Sequence, residues 1–480
     1  MASRFEHTTI FKQQIKDLIT VATTTTTTTT NTTTITLRPI VKQNILHHPT
    51  GRDFQIFSDL FLTTQHVVAT LNIVDITIDE YIGRAIKKML LTKRITNLSI
   101  QHSEDHQGMS YLENIDAGIA GGNVEHLAIK YIYTAPHTNI VSSLPSLQTI
   151  TTLKSLDLSH NELPDNDLTV SLLKNLLNHG LEALILQNVF IEDFIHPLED
   201  ILITNTSLKT FNIANNYFSV GGREALSRIL MHNTTISNLN IGGMSLIYED
   251  ISRILKNNSS IKNLNLSTGW ITTNALLNIR HIINTHKKLT ILNINHGMLN
   301  DTSADIIIQM IDDNILESLD ISFNLFKYSI VNIGQALGRN TSIKNLSIRG
   351  SFGLLDNHQL NVDHHQFQNI IHLFLEELAK NKVLEHLDLS TKHIDDECYM
   401  LAHLIENHPR LRSLTCVSVG LKDESVSAII DALKCNSSLV ELDVEYNSIF
   451  KNNKNSIVEL LDRNKLNMLL KDISLLDVIL

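Results

Sequence analysis

The feature that most constrains this chain is one strand-like phrase, apolar-x-x-Leu-x-apolar, written again about every 28 residues. It reads LKSLDLSHN at 153–161, LKTFNIANN at 208–216, LESLDISFN at 316–324 and LVELDVEYN at 439–447. Its central apolar residue falls at Leu71, Leu98, Leu127, Leu156, Leu184, Phe211, Leu239, Leu264, Leu292, Leu319, Leu346, Leu387, Leu414 and Leu442. Successive spacings are 25–29 residues, except the 41 between Leu346 and Leu387. Unrelated Leu-rich helices would not keep such a ruler, and a fixed period of this length marks a solenoid. A further apolar residue usually follows five positions after the phrase, as at Leu163, Phe218, Phe326 and Ile449. The rest of each unit has helical spacing, as in Leu168, Leu172, Leu173, Leu176 and Leu177. Each unit therefore reads strand, loop, helix, loop.

This pattern resembles the leucine-rich repeat family, and its 27–29-residue period is similar to the ribonuclease-inhibitor-like class. The resemblance covers about residues 66–470. It implies an α/β leucine-rich repeat solenoid (horseshoe) of about 14 strand-loop-helix repeats, with a parallel sheet on the concave face. The departure is the family's Asn position, three residues after the last apolar residue of the strand. Asn stands there at Asn161, Asn216, Asn324 and Asn447, whereas Met244, Gly269, Gly297, Lys392 and Val419 replace it elsewhere. A weakened Asn hydrogen-bond ladder is the expectation.

The repeats set the domain organisation. Residues 1–22 read as a short helix through Phe5, Phe11, Ile15 and Leu18. Residues 23–34, a Thr tract broken only by Asn31, read as a low-complexity linker. Residues 35–65 are expected to form a helical N-terminal cap, 66–464 the repeats, and 465–480 a C-terminal cap, because solenoids need capping units. The long spacing places an insertion at about 351–364. Asn205, Asn233, Asn258, Asn340 and Asn436 stand in N-x-S/T sequences, which match glycosylation acceptors. The structural reading is preferred: Asn tolerates the left-handed conformation that ends a helix.

Composition removes several functions. No apolar run reaches the length of a membrane span, and the N-terminal segment is too polar for a secretory signal. Three cysteines are an odd count, which argues for a reducing, cytoplasmic setting. Cys416 sits at a strand core position, and Cys398 and Cys435 fall in helical halves. The net charge of −11 with no basic stripe excludes nucleic acid. No Gly-rich phosphate loop or CxxC pair appears, so no cofactor is expected. His358, His364 and His365 with Asp363 gather in the insertion, but 23 histidines are spread along the chain, so no metal site is assigned. Asp157, Ser159 and His160 lie in one strand motif, whereas a triad needs convergence in space. No catalytic residue is expected, and the chain does not read as an enzyme.

Two surfaces are left for a partner. Positions three, five and seven of the heptad point out from the sheet. Position five is small and neutral to acidic. Positions three and seven add only Lys130 and Arg349 as formal cations, and Glu441, Asp443 and Glu445 make the last strand acidic. This concave face should prefer a polar or basic partner, unless small residues merely suit its curvature. The second surface is the residue before the second apolar mark, on the strand-to-helix rim. It reads Phe190, Tyr217, Ser245, Trp270, Met298, Leu325 and Phe352. Such a stripe either docks a protein or folds down to pack loop on loop. The expected function is a monomeric, non-catalytic protein-protein interaction scaffold without a membrane span. The resemblance also implies an alternative, a small-GTPase regulator similar to Ran GTPase-activating protein, although the long acidic tail of those proteins has no counterpart here. Similar repeat proteins occur in eukaryotic cytosol and among host-directed effectors of intracellular microbes, and the Asn-, Ile- and Thr-rich composition suits an AT-rich genome.

Overall fold

The computed structural model describes residues 68–479 apart from 77, 102–109, 133–139, 164–165, 190–194, 245–254, 352–363, 392–393 and 395–396. It also describes 33–37, 40–42, 45–47 and scattered positions between 55 and 62. The chain forms two compact units, Met1–Asn240 and Ile241–Leu480. The expected helix at 1–22 lies outside the described residues, as does nearly all of the insertion.

The first unit runs β1 (Thr33–Leu37), β2 (Ile40–Lys42), β3 (Ile45–His47), β4 (Val68–Val74), α1 (Glu80–Leu90), β5 (Asn97–Gln101), α2 (Ser110–Gly121), β6 (His126–Lys130), α3 (Ile140–Ser143), β7 (Ser155–Asp157), α4 (Asp167–Asn178), β8 (Ala183–Ile185), α5 (Glu199–Thr204), β9 (Thr210–Asn212), α6 (Val220–His232) and β10 (Asn238–Asn240). β2 and β3 pair antiparallel, and the others form a parallel sheet in the order β1-β4-β5-β6-β7-β8-β9-β10. The second unit runs β11 (Asn263–Asn265), α7 (Thr273–His286), β12 (Ile291–Asn293), α8 (Ala304–Asp312), β13 (Ser318–Asp320), α9 (Ser329–Arg339), β14 (Asn345–Ser347), α10 (His364–Leu378), β15 (His386–Asp388), α11 (Cys398–Asn407), β16 (Ser413–Thr415), α12 (Asp423–Cys435), β17 (Glu441–Asp443) and α13 (Lys451–Ile479). Its strands follow chain order from β11 to β17 in an open parallel sheet. Both units are α/β solenoids. Among the described residues no helix is long and apolar enough to cross a membrane.

The sequence ruler is the pairing register. Leu71 pairs with Leu98, Leu98 with Leu127 and Leu127 with Leu156. In the second unit Leu292 pairs with Leu319, Leu319 with Leu346 and Leu414 with Leu442. Leu346 pairs with Leu387, so the long spacing is looped out without breaking the sheet. From Leu71 to Leu414 these central residues are buried, and each removes a side chain from water at about 1.5–3 kcal/mol. Helix positions Leu172, Leu173, Leu176 and Leu177 close the core from the other side.

Four residues past the central apolar position the backbone turns left-handed. Asp75, Tyr131, His160, Asn188, Asn215, Thr268, His296, Phe323, Thr391, Ser418 and Tyr446 all have φ between 49° and 63°, and Gly243 and Gly350 take the same place. For a non-glycine residue this costs about 1–2 kcal/mol. The turn is kept because it aims the residue's N–H at the next repeat. His296 N–H meets the Ser322 carbonyl at 2.9 Å, Thr268 that of Asn295 at 2.9 Å and His160 that of Gln187 at 2.8 Å.

Two sets of Asn amides, most of them buried, bolt repeat to repeat. In the strand-side loop, the Asn161 carbonyl oxygen accepts from Ile132 N–H at 3.0 Å, and its amide donates to the Ile129 carbonyl at 2.6 Å. Asn216, Asn324 and Asn447 repeat this, each reaching the preceding repeat. Ser351 stands in for Asn by donating to the Ile321 carbonyl at 2.6 Å. At the helix ends, Asn340 donates to Ile311 C=O at 2.6 Å and accepts from Ser342 and Ile343 N–H. Asn205, Asn233, Asn381 and Asn436 do the same. The left-handed reading of these caps is overturned: Asn205, Asn233, Asn340 and Asn436 have φ of −65° to −79° with extended ψ. Their side chains, not an unusual backbone, select Asn. Buried and bonded in this way, Asn233, Asn258, Asn340 and Asn436 leave no room for a glycan.

The ends differ from expectation. The segment read as a helical cap opens with strand β1, which pairs parallel with β4, and Thr33 and Thr34 of the Thr tract already belong to it. At the other end one helix, α13, runs through 465 without a break. Within it Asn464 donates to the Leu439 carbonyl at 2.8 Å, and the Arg463 guanidinium donates to the carbonyls of Leu433, Lys434 and Asn436. These two residues supply the donors that a further repeat would have brought.

At the end of α11 a His takes the place that Asn holds at the ends of α5, α6, α9 and α12. The buried His408 accepts Arg410 and Leu411 N–H on Nδ1 at 3.3 and 3.0 Å, which requires the neutral Nε2–H tautomer, and Nε2 has no partner. Burial pushes its pKa down to about 4, with the Lys382 charge adding to the shift. The unfolded value is about 6.5. Above pH 6.5 neither state binds the proton. As pH falls from about 6.5 to about 4 the unfolded chain takes up a proton that the folded chain refuses, so stability falls, by up to about 3 kcal/mol. His408→Asn restores the cap used elsewhere and should abolish this component. Urea unfolding of both proteins between pH 7 and pH 4 checks it: parallel losses would refute a neutral capping role for His408.

Candidate functional site

The rim residues of the second unit stand out from the protein. Trp270 is 74% exposed, Met298 62% and Leu325 41%, so they do not fold down to pack loop on loop. They sit on three successive repeats. Ile271 N–H donates to the Gly297 carbonyl at 3.2 Å and Leu325 N–H to the Leu299 carbonyl at 2.7 Å, so the three rims are tied by backbone bonds. The Asn324 side chain adds a bond from Leu299 N–H at 3.0 Å. At the strand spacing of about 4.8 Å, the three side chains form a ridge roughly 10 Å long. Met298 is itself left-handed, φ 55°, beside a glycine whose Cβ would lie 2.9 Å from the Ile294 carbonyl oxygen. In the first unit Tyr217 is likewise 60% exposed. Phe190 and Phe352 lie outside the described residues.

A second row runs beside the ridge and was not singled out from the sequence. It is built on the left-handed position, two residues before the rim. His296 stacks on Phe323 with ring centroids 4.3 Å apart, and the Arg349 guanidinium lies over the Phe323 ring, 5.5 Å from its centroid. Gly350 is required there, since a Cβ would come within 2.5 Å of the ring. In the first unit Tyr131 stacks on His160 at 4.1 Å in the same register. The signal was present in the sequence as aromatic or His side chains on consecutive repeats at one position.

The outward-facing residues of the sheet divide by role. Lys130 is neutralised by Asp157 of the next strand at 2.5 Å. Arg349 has no carboxylate partner among the described residues, and its Nε is buried without a bond. Glu441, Asp443 and Glu445 are all exposed. The position-five ribbon has a use that composition did not show. Asp157, Asn212, Asn265, Asn293, Asp320, Asp388 and Asp443 each accept the N–H two residues on, at 2.9–3.1 Å. Its polarity is thus a strand-terminating device first. Between β13 and β16 the face holds a shallow depression of about 240 Å³, lined by Asp320, Asn345, His386 and Asp388 among others.

The chemistry of reactive groups is muted. Cys416 is fully buried, and burial pushes its thiol far above the usual range. Cys398 is buried and Cys435 exposed. Among the described residues no three His, Cys, Asp or Glu side chains converge to hold a metal. His358 and Asp363 lie outside the described residues, and His364 and His365 open α10.

No protein-family model and no curated protein matches this chain.

Trp270 is the single tryptophan, so its emission reports the ridge directly. The native protein should emit as a water-exposed indole, quenched by acrylamide nearly as well as the urea-unfolded chain. A blue-shifted, quencher-resistant native signal would mean that the rim is packed.

Proposed function

We propose that this chain is a non-catalytic scaffold that docks a protein partner on the ridge of Trp270, Met298 and Leu325. The observation that carries the reading is the exposure of these three large apolar side chains, in register, on rims held by backbone bonds. Water contact with such a patch is unfavourable, and its burial by a partner is the ordinary remedy. Trp is among the preferred anchors of protein interfaces, and Met adapts its shape to the surface it meets. The stacked His296 and Phe323, with Arg349, form a polar-aromatic border along one side of the ridge. A rigid anchor row loses little conformational freedom on binding, which favours affinity.

The test is affinity capture from a cytosolic extract with wild-type protein and with Trp270→Ala/Met298→Ala, followed by titration of the strongest captured protein. The pair of truncations should weaken binding at least tenfold without shifting the unfolding midpoint, and Trp270 emission should move to the blue as the partner docks. Undiminished affinity in the double variant would remove the ridge from the interface.

A further inference from the structure

Among the described residues, the last strand of the second unit is an open edge. In every earlier described repeat of this unit, two amides past the central Leu donate to the next strand. Cys416 N–H meets the Asp443 carbonyl at 2.8 Å and Ser418 N–H the Glu445 carbonyl at 3.1 Å. Leu389 and Thr391 do the same to Thr415 and Val417. One repeat later the equivalent amides are those of Val444 and Tyr446, and no acceptor meets them among the described residues. The core is open at the same place. Leu442 is partly exposed, whereas its thirteen counterparts, from Leu71 to Leu414, are all buried. Helix α13 therefore closes the helical side of the end, through Arg463 and Asn464, and no described residue covers the sheet side.

The side chains on this edge have one sign. Glu441, Asp443 and Glu445 alternate along β17 and its exit, all exposed and none in an ion pair among the described residues. They repeat every two residues, about 6.6 Å along the strand. Beyond them stand Tyr446, 82% exposed, and Phe450, 74% exposed. A second copy of this chain, pairing edge to edge, would set these carboxylates against each other, a known device against such pairing. A strand with Lys or Arg at alternate positions has the matching period and the opposite sign. The chain contains its own example of that contact: Lys130 on β6 meets Asp157 on the neighbouring β7 at 2.5 Å.

We infer that the β17 edge accepts an extended, basic segment of a partner protein, added as one more strand. The segment's carbonyls take the Val444 and Tyr446 amides, its apolar face covers Leu442, and its cations meet Glu441, Asp443 and Glu445. Tyr446 and Phe450 flank the added strand with ring faces suited to a further cation. This surface is separate from the Trp270 ridge, and either assignment stands if the other fails.

The experiment uses the full chain and three fluorescent peptides of about ten residues, read by anisotropy at pH 7 and moderate salt. One alternates Lys with Val, one alternates Glu with Val, and the third is the Lys–Val peptide with alternate backbone amides N-methylated, which keeps charge but blocks strand pairing. The Lys–Val peptide should bind at least tenfold more tightly than either of the others. Glu441→Lys/Glu445→Lys should weaken it at least tenfold and favour the Glu–Val peptide instead. Both substituted side chains are exposed and without ion pairs, so folding is expected to be unchanged, as circular dichroism would show. Equal binding of the N-methylated peptide would reduce the effect to charge alone and overturn the added strand. An unchanged affinity in the charge-reversed variant, or sedimentation at pH 7 showing a dimer that occupies this edge, would overturn it as well.

Discussion

In-register parallel pairing is the constraint on which everything else here depends. Because Leu319 sits beside Leu292 and Leu346, every position of a repeat lies beside the same position of its neighbours. Identical requirements therefore line up in ribbons: an apolar residue in the core, an Asn or Asp at the strand end, a left-handed turn, and a rim. The arrangement is favourable for leucine and unfavourable for charge, since like would face like. The chain resolves this by alternation. At the second heptad position Glu125, Lys154, Glu182 and Lys209 follow one another, with Lys154 to Glu125 at 2.5 Å and Lys209 to Glu182 at 2.6 Å. Glu317 and Lys344 continue the rule in the other unit at 3.5 Å. Each pair is exposed and worth little alone, but same-sign neighbours would be a steady cost.

The same constraint explains what could be read from the sequence. A pattern that must pair with itself has to repeat, so the heptad ruler predicted the partners of individual leucines, even across the 41-residue spacing. The left-handed turn was not legible. Thr268, Phe323 and Thr391 are residues that ordinarily avoid that conformation, and only the backbone bond to the next repeat explains it. The helix-end Asn residues were found but assigned to backbone freedom, because a sequence does not say whether an amide is chosen for its φ or for its hydrogen bonds. His408 was missed for the same reason: an imidazole does not look like an Asn until Nδ1 is seen accepting two amides. Among surface residues the exposed rim of Trp270, Met298 and Leu325 was legible, being an irregularity at a repeating position. The His296–Phe323 stack was missed, because neither residue type is unusual singly and only their recurrence at one position of consecutive repeats marks them.

The two ends of a solenoid pose different problems, and this chain treats them differently. A helical end needs donors for carbonyls and cover for an apolar face, which Arg463 and Asn464 provide from a continuing helix. A sheet end needs a neighbour with both backbone polarity and an apolar side, which a helix cannot supply in register. The first unit meets its own sheet end with β1, a short strand laid parallel to β4. Among the described residues the last strand has no such addition. It carries three carboxylates where β14 and β15 carry Ser347, Arg349, Asp388 and Ser390, a density of one sign seen nowhere else on the outward positions of this sheet. That density cannot be a strand-terminating device alone, because Asp443 suffices for it by accepting Glu445 N–H. Glu441 and Glu445 are thus left without an internal reason. Their effect is to refuse a like edge and to admit a basic one, so the chemistry of the edge selects its neighbour by the same opposite-charge rule that orders the second heptad position.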